Sequence, residues 1–218
     1  MSKPQPTVAR RGRPRDPKRL QKIIEAASQQ FLECGYDRAS MDAVALAAGV
    51  SKMTLYNNFA SKDALFESCV AYRTNSIFAD FSDDTLDPKR PDEALYLIAK
   101  QFVSLMRADD VIRIHRLLYS LATTHPDICT RFFNAGPERV NEFVQRYLRA
   151  AHTENSLHID DISAAADQFL ALQLGRSHLR ATLGLGKPEA EAEEHSLRAN
   201  VAFFTAAYAT TLLKPLPV

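Results

Sequence analysis

At 218 residues, with 46% hydrophobic and 24% charged positions, the chain is long enough to bury a substantial core and has an ordinary water-soluble composition. It has no apolar run of about eighteen residues and no apolar segment behind its basic N-terminus. This argues against a transmembrane helix and a signal peptide and predicts a cytoplasmic location. The formal net charge of +1 conceals an asymmetry: eleven Lys plus Arg stand against seven Asp plus Glu through Val70, and sixteen against nineteen beyond it, so a basic part suited to a polyanion precedes an acidic remainder that is not.

Residues 1–16 carry Pro4, Pro6, Gly12 and Pro14 with almost no apolar periodicity, and read as a disordered basic arm. Within it Arg10-Arg11-Gly12-Arg13-Pro14-Arg15 is close to an AT-hook core. Arg11, Arg13 and Arg15 on an extended backbone with little side-chain bulk can enter a narrow A·T-rich minor groove, where negative potential is concentrated. The alternative is a solvated tail that only raises nonspecific affinity.

From Pro17 the spacing Leu20, Ile23, Ile24, Ala27, Phe31 follows one face of a helix that stops at Gly35. A short alanine-rich helix, Asp42 to Ala48, then meets Gly49, a turn position where left-handed backbone is cheap, and Ser51, which can cap the next helix. Helix, glycine turn and helix make a helix-turn-helix. Val44, Ala48, Val50, Leu55 and Phe59 are spaced to close a small core, leaving Lys52, Thr54, Tyr56, Asn57 and Asn58 outward, a polar set able to meet phosphates and base edges. Ser61 caps a fourth helix, expected to run to about Phe81 and to link two domains.

The stretch from Leu20 to Phe66 resembles the DNA-binding domain of the TetR/AcrR family of bacterial transcriptional regulators. The resemblance is carried by Ala26-Ala27, Phe31, Gly35-Tyr36, Ser40-Met41, Val44-Ala45, Ala48-Gly49-Val50-Ser51, Leu55-Tyr56, Phe59 and Ser61-Lys62-Asp63-Ala64-Leu65. Within that family the chain is most similar to AefR-like repressors. The resemblance implies an all-α fold: a three-helix helix-turn-helix DNA-binding domain over 17–66, then a C-terminal helical ligand-binding and dimerisation domain over 67–218. It also implies that Lys52 and Met53 face bases with Asn57 beside them, and that Ser51, Thr54, Tyr56 and Asn58 touch phosphates. Lys62 and the dipole of the fourth helix would hold a phosphate, and Ser40 would do the same at the second helix. For Tyr56 the alternative is a purely structural aromatic. Met53 and Asn58 depart from the small residue and the histidine common at those places, so no operator sequence can be borrowed.

Further along, Ser82 to Pro91 is a loop by composition, and Pro91 with Asp92 and Glu93 opens the next helix, whose buried face would be Leu95, Ile98, Phe102, Leu105 and Met106. Val111 to Ala122 reads as a central helix, apolar on most sides. A short helix holding Ile128, Phe132 and Phe133 breaks at Gly136-Pro137, and a longer one resumes through Val140, Phe143, Val144, Tyr147, Leu148 and Ala151. Two alanine-rich helices, about Asp160 to Leu183 and Pro188 to Leu213, close the chain. Their small residues suit close packing, within the chain or as a four-helix interface between two copies; the resemblance implies the homodimer.

Phe102, His115, Tyr119, Phe133, Phe143, Phe169 and His178 fall on helices expected to surround the middle of the C-terminal domain. They are candidates to line a cavity for a small, partly apolar effector, against the alternative of plain core. The histidines form no metal set, and no cofactor is expected. Gly184-Leu185-Gly186-Lys187 fails as a phosphate loop, because Ala181 and Pro188 occupy the places of the first glycine and the magnesium-binding hydroxyl. No catalytic motif is present. The sequence therefore predicts a homodimeric repressor on a palindromic double-stranded operator, released by an effector of unknown identity and without a membrane partner. Cys34, Cys69 and Cys129, odd in number and without C-x-x-C spacing, fit a reducing compartment; a thiol-redox switch through Cys69 or Cys129, with no ligand, is the alternative.

Overall fold

The computed structural model describes residues 16–79, 81 and 85–209, and among them every regular element is a helix. The N-terminal group comprises α1 (Pro17–Arg38), α2 (Met41–Ala47), α3 (Lys52–Asn58) and α4 (Lys62–Phe78). The C-terminal group comprises α5 (Pro91–Arg107), α6 (Asp109–Leu121), α7 (Pro126–Ala135), α8 (Pro137–Thr153), α9 (Ile162–Thr182) and α10 (Ala190–Ala207).

Helices of seven residues, such as α2 and α3, are too short to be stable alone, so their ends must be tied down. Two serines do this, and a third caps α4 in the same way. Ser40 Oγ accepts from the Ala43 amide at 3.2 Å, Ser51 Oγ from Thr54 at 3.1 Å and Ser61 Oγ from Ala64 at 3.1 Å; each such cap contributes about 1 kcal/mol. Gly49, at φ 65°, makes the turn between α2 and α3. The apolar faces then close on Ile23, Ala27, Phe31, Val44, Leu55, Leu65 and Phe66, with Ala48 and Val50 half-buried at the margin.

α1 is interrupted at Gly35, whose φ of 78° and ψ of 170° no other residue adopts cheaply. The break turns Tyr36 back into the core, where it stacks on Phe31 at 5.9 Å and meets Phe66 edge-on at 5.7 Å. α4 packs on α1 with one part of its length and on α7 with another, which joins the two groups physically. The C-terminal core gathers Leu95, Ile98, Val144, Leu148, Phe169, Val201 and Phe204. An ion pair, Arg107 to Glu193 at 2.7 Å, ties α5 to α10.

The structure corrects three expectations. α4 ends at Phe78 rather than about Phe81, while the expected end of the last helix near Leu213 lies outside the described residues. α6 is amphipathic rather than apolar on most sides, because Arg113, Arg116 and Ser120 form a solvent-facing stripe opposite Val111 and Leu118. α9 is not continuous: Gly175, at φ 48° and ψ −160°, breaks it. A Cβ on Gly175 would meet nothing within 4 Å, so the backbone conformation, not crowding, demands glycine.

Candidate nucleic-acid interface and ligand cavity

α3 is held by its buried Leu55, and this fixes which side chains it shows to solvent. Met53 is 75% exposed and Tyr56 51%, with Lys52 and Asn57 exposed beside them. Thr54 and Asn58 are half-buried: Thr54 Oγ1 lies 2.8 Å from Ser51 Oγ, and Asn58 Nδ2 donates to the Thr54 carbonyl at 2.7 Å. Lys52 Nζ lies 2.6 Å from Asp42 on α2, an exposed pair that cross-links the two helices and raises the lysine pKa by its hydrogen bond. Ser40, exposed, uses an oxygen lone pair to cap α2 and keeps its hydroxyl proton free to donate. The structure thus brings Ser51, Lys52, Met53, Tyr56 and Asn57 to one surface. Leu46 on α2, 85% exposed, is an apolar neighbour that the sequence reading passed over.

Lys62 has a more specific setting than its position at a helix start suggests. Its Nζ donates to the carbonyls of Tyr36 at 2.8 Å and Asp37 at 3.3 Å and lies 4.4 Å from the Tyr36 ring centroid. The Tyr36 hydroxyl donates to Asp63, and burial followed by that carboxylate raises its pKa. Lys62 is therefore fastened to the break in α1 at the N-terminus of α4, where cation and helix dipole add. The only advance signal was the pairing of Gly35-Tyr36 with Lys62-Asp63. Arg11, Arg13 and Arg15 lie outside the described residues.

Between the two helical groups lies a cavity of about 590 Å³, within the range of drug-sized ligand sites. Its walls come from every helix from α4 to α9, and from Ser28, Phe31 and Leu32 of α1. Phe102, His115, Tyr119 and His178 line it, as does Ala122. Phe133, Phe143 and Phe169 do not. On α7 the adjacent Phe132 takes the wall position, and Phe133, about 100° further round the helix, is 54% exposed. Phe143 stacks on Phe78 at 4.3 Å, and Phe169 is fully buried against Phe204 at 5.2 Å.

Polar atoms in the cavity are few. The His115 and His178 rings stand 5.5 Å apart at 82°, and the buried Nδ1 of each has no hydrogen-bond partner. Burial, then the neighbouring histidine, pushes the His115 pKa down to about 4; burial, then the charge of Arg107, lowers that of His178. Arg73 and Asp110 face each other at 3.1 Å with partly exposed side chains. Cys69 and Cys129 also reach the wall, but burial raises the Cys69 thiol to about 11, against the thiolate that oxidation chemistry requires. Sequence reasoning missed the contributions of Phe31 and Phe66, whose role in the N-terminal core was their only visible signal.

Comparison with known proteins agrees with this geometry. Residues 23–69 match the family model described as bacterial regulatory proteins, tetR family, and residues 93–210 match the AefR-like transcriptional repressor, C-terminal domain. The solved structure of the flavonoid-responsive regulator FrrA is 32% identical, superposes with a TM-score of 0.72, and covers 90% of this chain and all of its own. Among curated proteins, the HTH-type transcriptional regulator SrpR of Pseudomonas putida is 28% identical over 156 residues, 71% of each chain. The HTH-type transcriptional activator FasR of Mycolicibacterium smegmatis is 51% identical over 53 residues, a match that spans only 24% of either protein.

Proposed function

The chain belongs to the TetR family of bacterial transcriptional regulators, with a C-terminal domain of the AefR-like repressor type, and from that membership we propose that it is a homodimeric repressor whose palindromic operator is released by a small-molecule effector. The observation that carries the reading is the cavity, because Phe31 and Phe66 belong both to its wall and to the core behind the helix-turn-helix. An effector that prefers one setting of these rings changes the setting of the DNA-binding helices. Its effect on operator affinity equals the ratio of its affinities for the two settings.

The DNA-binding unit is assigned to residues 17–66 and the regulatory and dimerisation unit to 67–218, with 1–16 as a basic arm. Lys52, Met53 and Asn57 read bases, while Ser40, Ser51, Thr54, Tyr56, Asn58 and Lys62 hold phosphates. Leu179, Leu183 and Phe203, 58%, 64% and 67% exposed on or beside α9 and α10, supply the apolar surface for a second copy. Since FrrA is described as flavonoid-responsive, hydroxylated planar aromatics head the candidate effectors. The site of action is the cytoplasm; among the described residues no helix is long and apolar enough to cross a membrane.

The test selects bound sites from genomic fragments and then challenges the complexes with a panel of flavonoids and other metabolites. A recovered palindrome released by one compound class is the expected result. Binding without a palindrome would overturn the dimeric operator, and a complex that no compound releases would overturn effector control.

A further inference from the structure

The two lysines of the helix-turn-helix region are held in different ways, and the role this gives Asp42 rests on the DNA-binding reading. Lys62 donates to the neutral carbonyls of Tyr36 and Asp37, so it keeps a full positive charge for a phosphate. Lys52, on α3, instead meets a carboxylate: its Nζ lies 2.6 Å from Oδ2 of Asp42 on α2. The two side chains are 67% and 59% exposed, and an ion pair so placed adds little to stability. The dipole of α2 favours an acid in its first turn, which accounts for Asp42 but not for its partner on another helix. An acid on a surface that meets a polyanion repels phosphates, so its place there points to selectivity rather than to affinity.

We propose that Lys52 and Asp42 act as one unit that reads a single G·C pair in each operator half-site, Lys52 on the guanine and Asp42 on the cytosine. The ion pair presents a donor beside an acceptor. In the major groove a G·C pair presents the complement, guanine O6 beside the cytosine N4 amino group, joined by a Watson–Crick hydrogen bond of about 2.9 Å. That spacing is close to the 2.6 Å between Nζ and Oδ2. The contact between the side chains uses one of three ammonium protons and one of two carboxylate oxygens, so each group can also bond to a base. Two ammonium protons remain for O6 and N7 of guanine, and the carboxylate accepts from N4. A T·A pair repeats the order, with thymine O4 beside adenine N6, but its methyl group adjoins O4 where guanine has N7, and one acceptor is lost. Pairing also sets Lys52 apart from Lys62, because a lysine neutralised by a carboxylate gains little from a phosphate.

Selection of bound sites from a randomised half-site library tests this on the full-length wild type, Asp42→Ala, Lys52→Ala and the double variant. The wild type should enrich G·C over A·T at one position by about tenfold or more, and each single variant should lower that preference to about threefold or less at the same position only. The double variant should lose no more than either single one, because the two side chains act together. At that position 7-deazaguanine, which lacks the N7 acceptor, should weaken wild-type binding about tenfold and leave Lys52→Ala unaffected. On nonspecific DNA, Asp42→Ala frees a lysine for the backbone and should bind more tightly, with a salt dependence steeper by about one unit per bound protomer. A cross-link that only steadies α2 against α3 would move no base preference. Enriched sites without a G·C preference, relaxation at two different positions, additive losses in the double variant, or a preference that survives Asp42→Ala overturns the paired reading while leaving operator binding standing. A wild type that enriches no site at all overturns the operator reading and the pair's role with it. Circular dichroism of each variant separates lost recognition from lost folding.

Discussion

The two cavity histidines tie the stability of the fold to pH, and His115 permits a worked figure. Its pKa in the fold is about 4 against 6.5 for an ordinary histidine, so the unfolded chain takes up the proton first as pH falls. The contribution is fully present above the unfolded pKa of 6.5 and is lost as pH falls from there toward 4. The gap of about 2.5 caps the loss at about 3 kcal/mol. At about pH 5 the unfolded imidazole is almost wholly protonated and the folded one almost wholly neutral, and about 2 kcal/mol has been lost. His115→Leu removes the titrating group, so its stability should fall by about 2 kcal/mol less than that of the wild type between about pH 7.5 and about pH 5. Urea unfolding followed by helical circular dichroism at both pH values measures the difference, and the pH slope, unlike absolute stability, is insensitive to the altered packing. Equal losses in wild type and variant would refute a neutral, buried His115.

Two further predictions concern DNA. Lys62→Ala should weaken specific and nonspecific binding nearly alike and lower the salt dependence by about one unit per half-site, whereas substitutions at Lys52 or Met53 should change sequence preference at about 1–3 kcal/mol per lost base contact; an unchanged salt slope in a titration of Lys62→Ala would count against the phosphate role. Deleting residues 1–15 should weaken operators with A·T-rich flanks more than those with G·C-rich flanks in gel-shift measurements, while equal losses would reduce the arm to a solvated tail.

The helix-turn-helix was legible in the chain because it is built from local signals. A serine before each short helix, a glycine between two of them and apolar residues at helical spacing all act within a few positions of one another. The cavity is different in kind, since its walls converge from helices far apart in sequence. Chemistry alone nominated Phe102, His115, Tyr119 and His178, which reach it, together with Phe133, Phe143 and Phe169, which do not. Residue type does not report helical phase: on α7 the neighbouring Phe132 and Phe133 differ only in direction, and only the former faces the cavity. The break at Gly175 was hidden for a related reason, because alanine-rich flanks favour helix on both sides and a glycine within a helix marks a kink only where packing exploits it.

That Phe31 and Phe66 serve both the DNA-binding core and the cavity wall constrains how such a protein can change. A substitution at either ring that reshapes the cavity also loosens the support beneath the recognition helix, so altered ligand preference and loss of the folded head arise together and must be compensated together. Under the proposed effector control, drift toward a new effector is then channelled to positions without this double duty, such as Leu170, Leu174 and His178 on α9. A laboratory effort to turn the chain into a sensor for another compound should randomise that far wall and leave the two phenylalanines untouched.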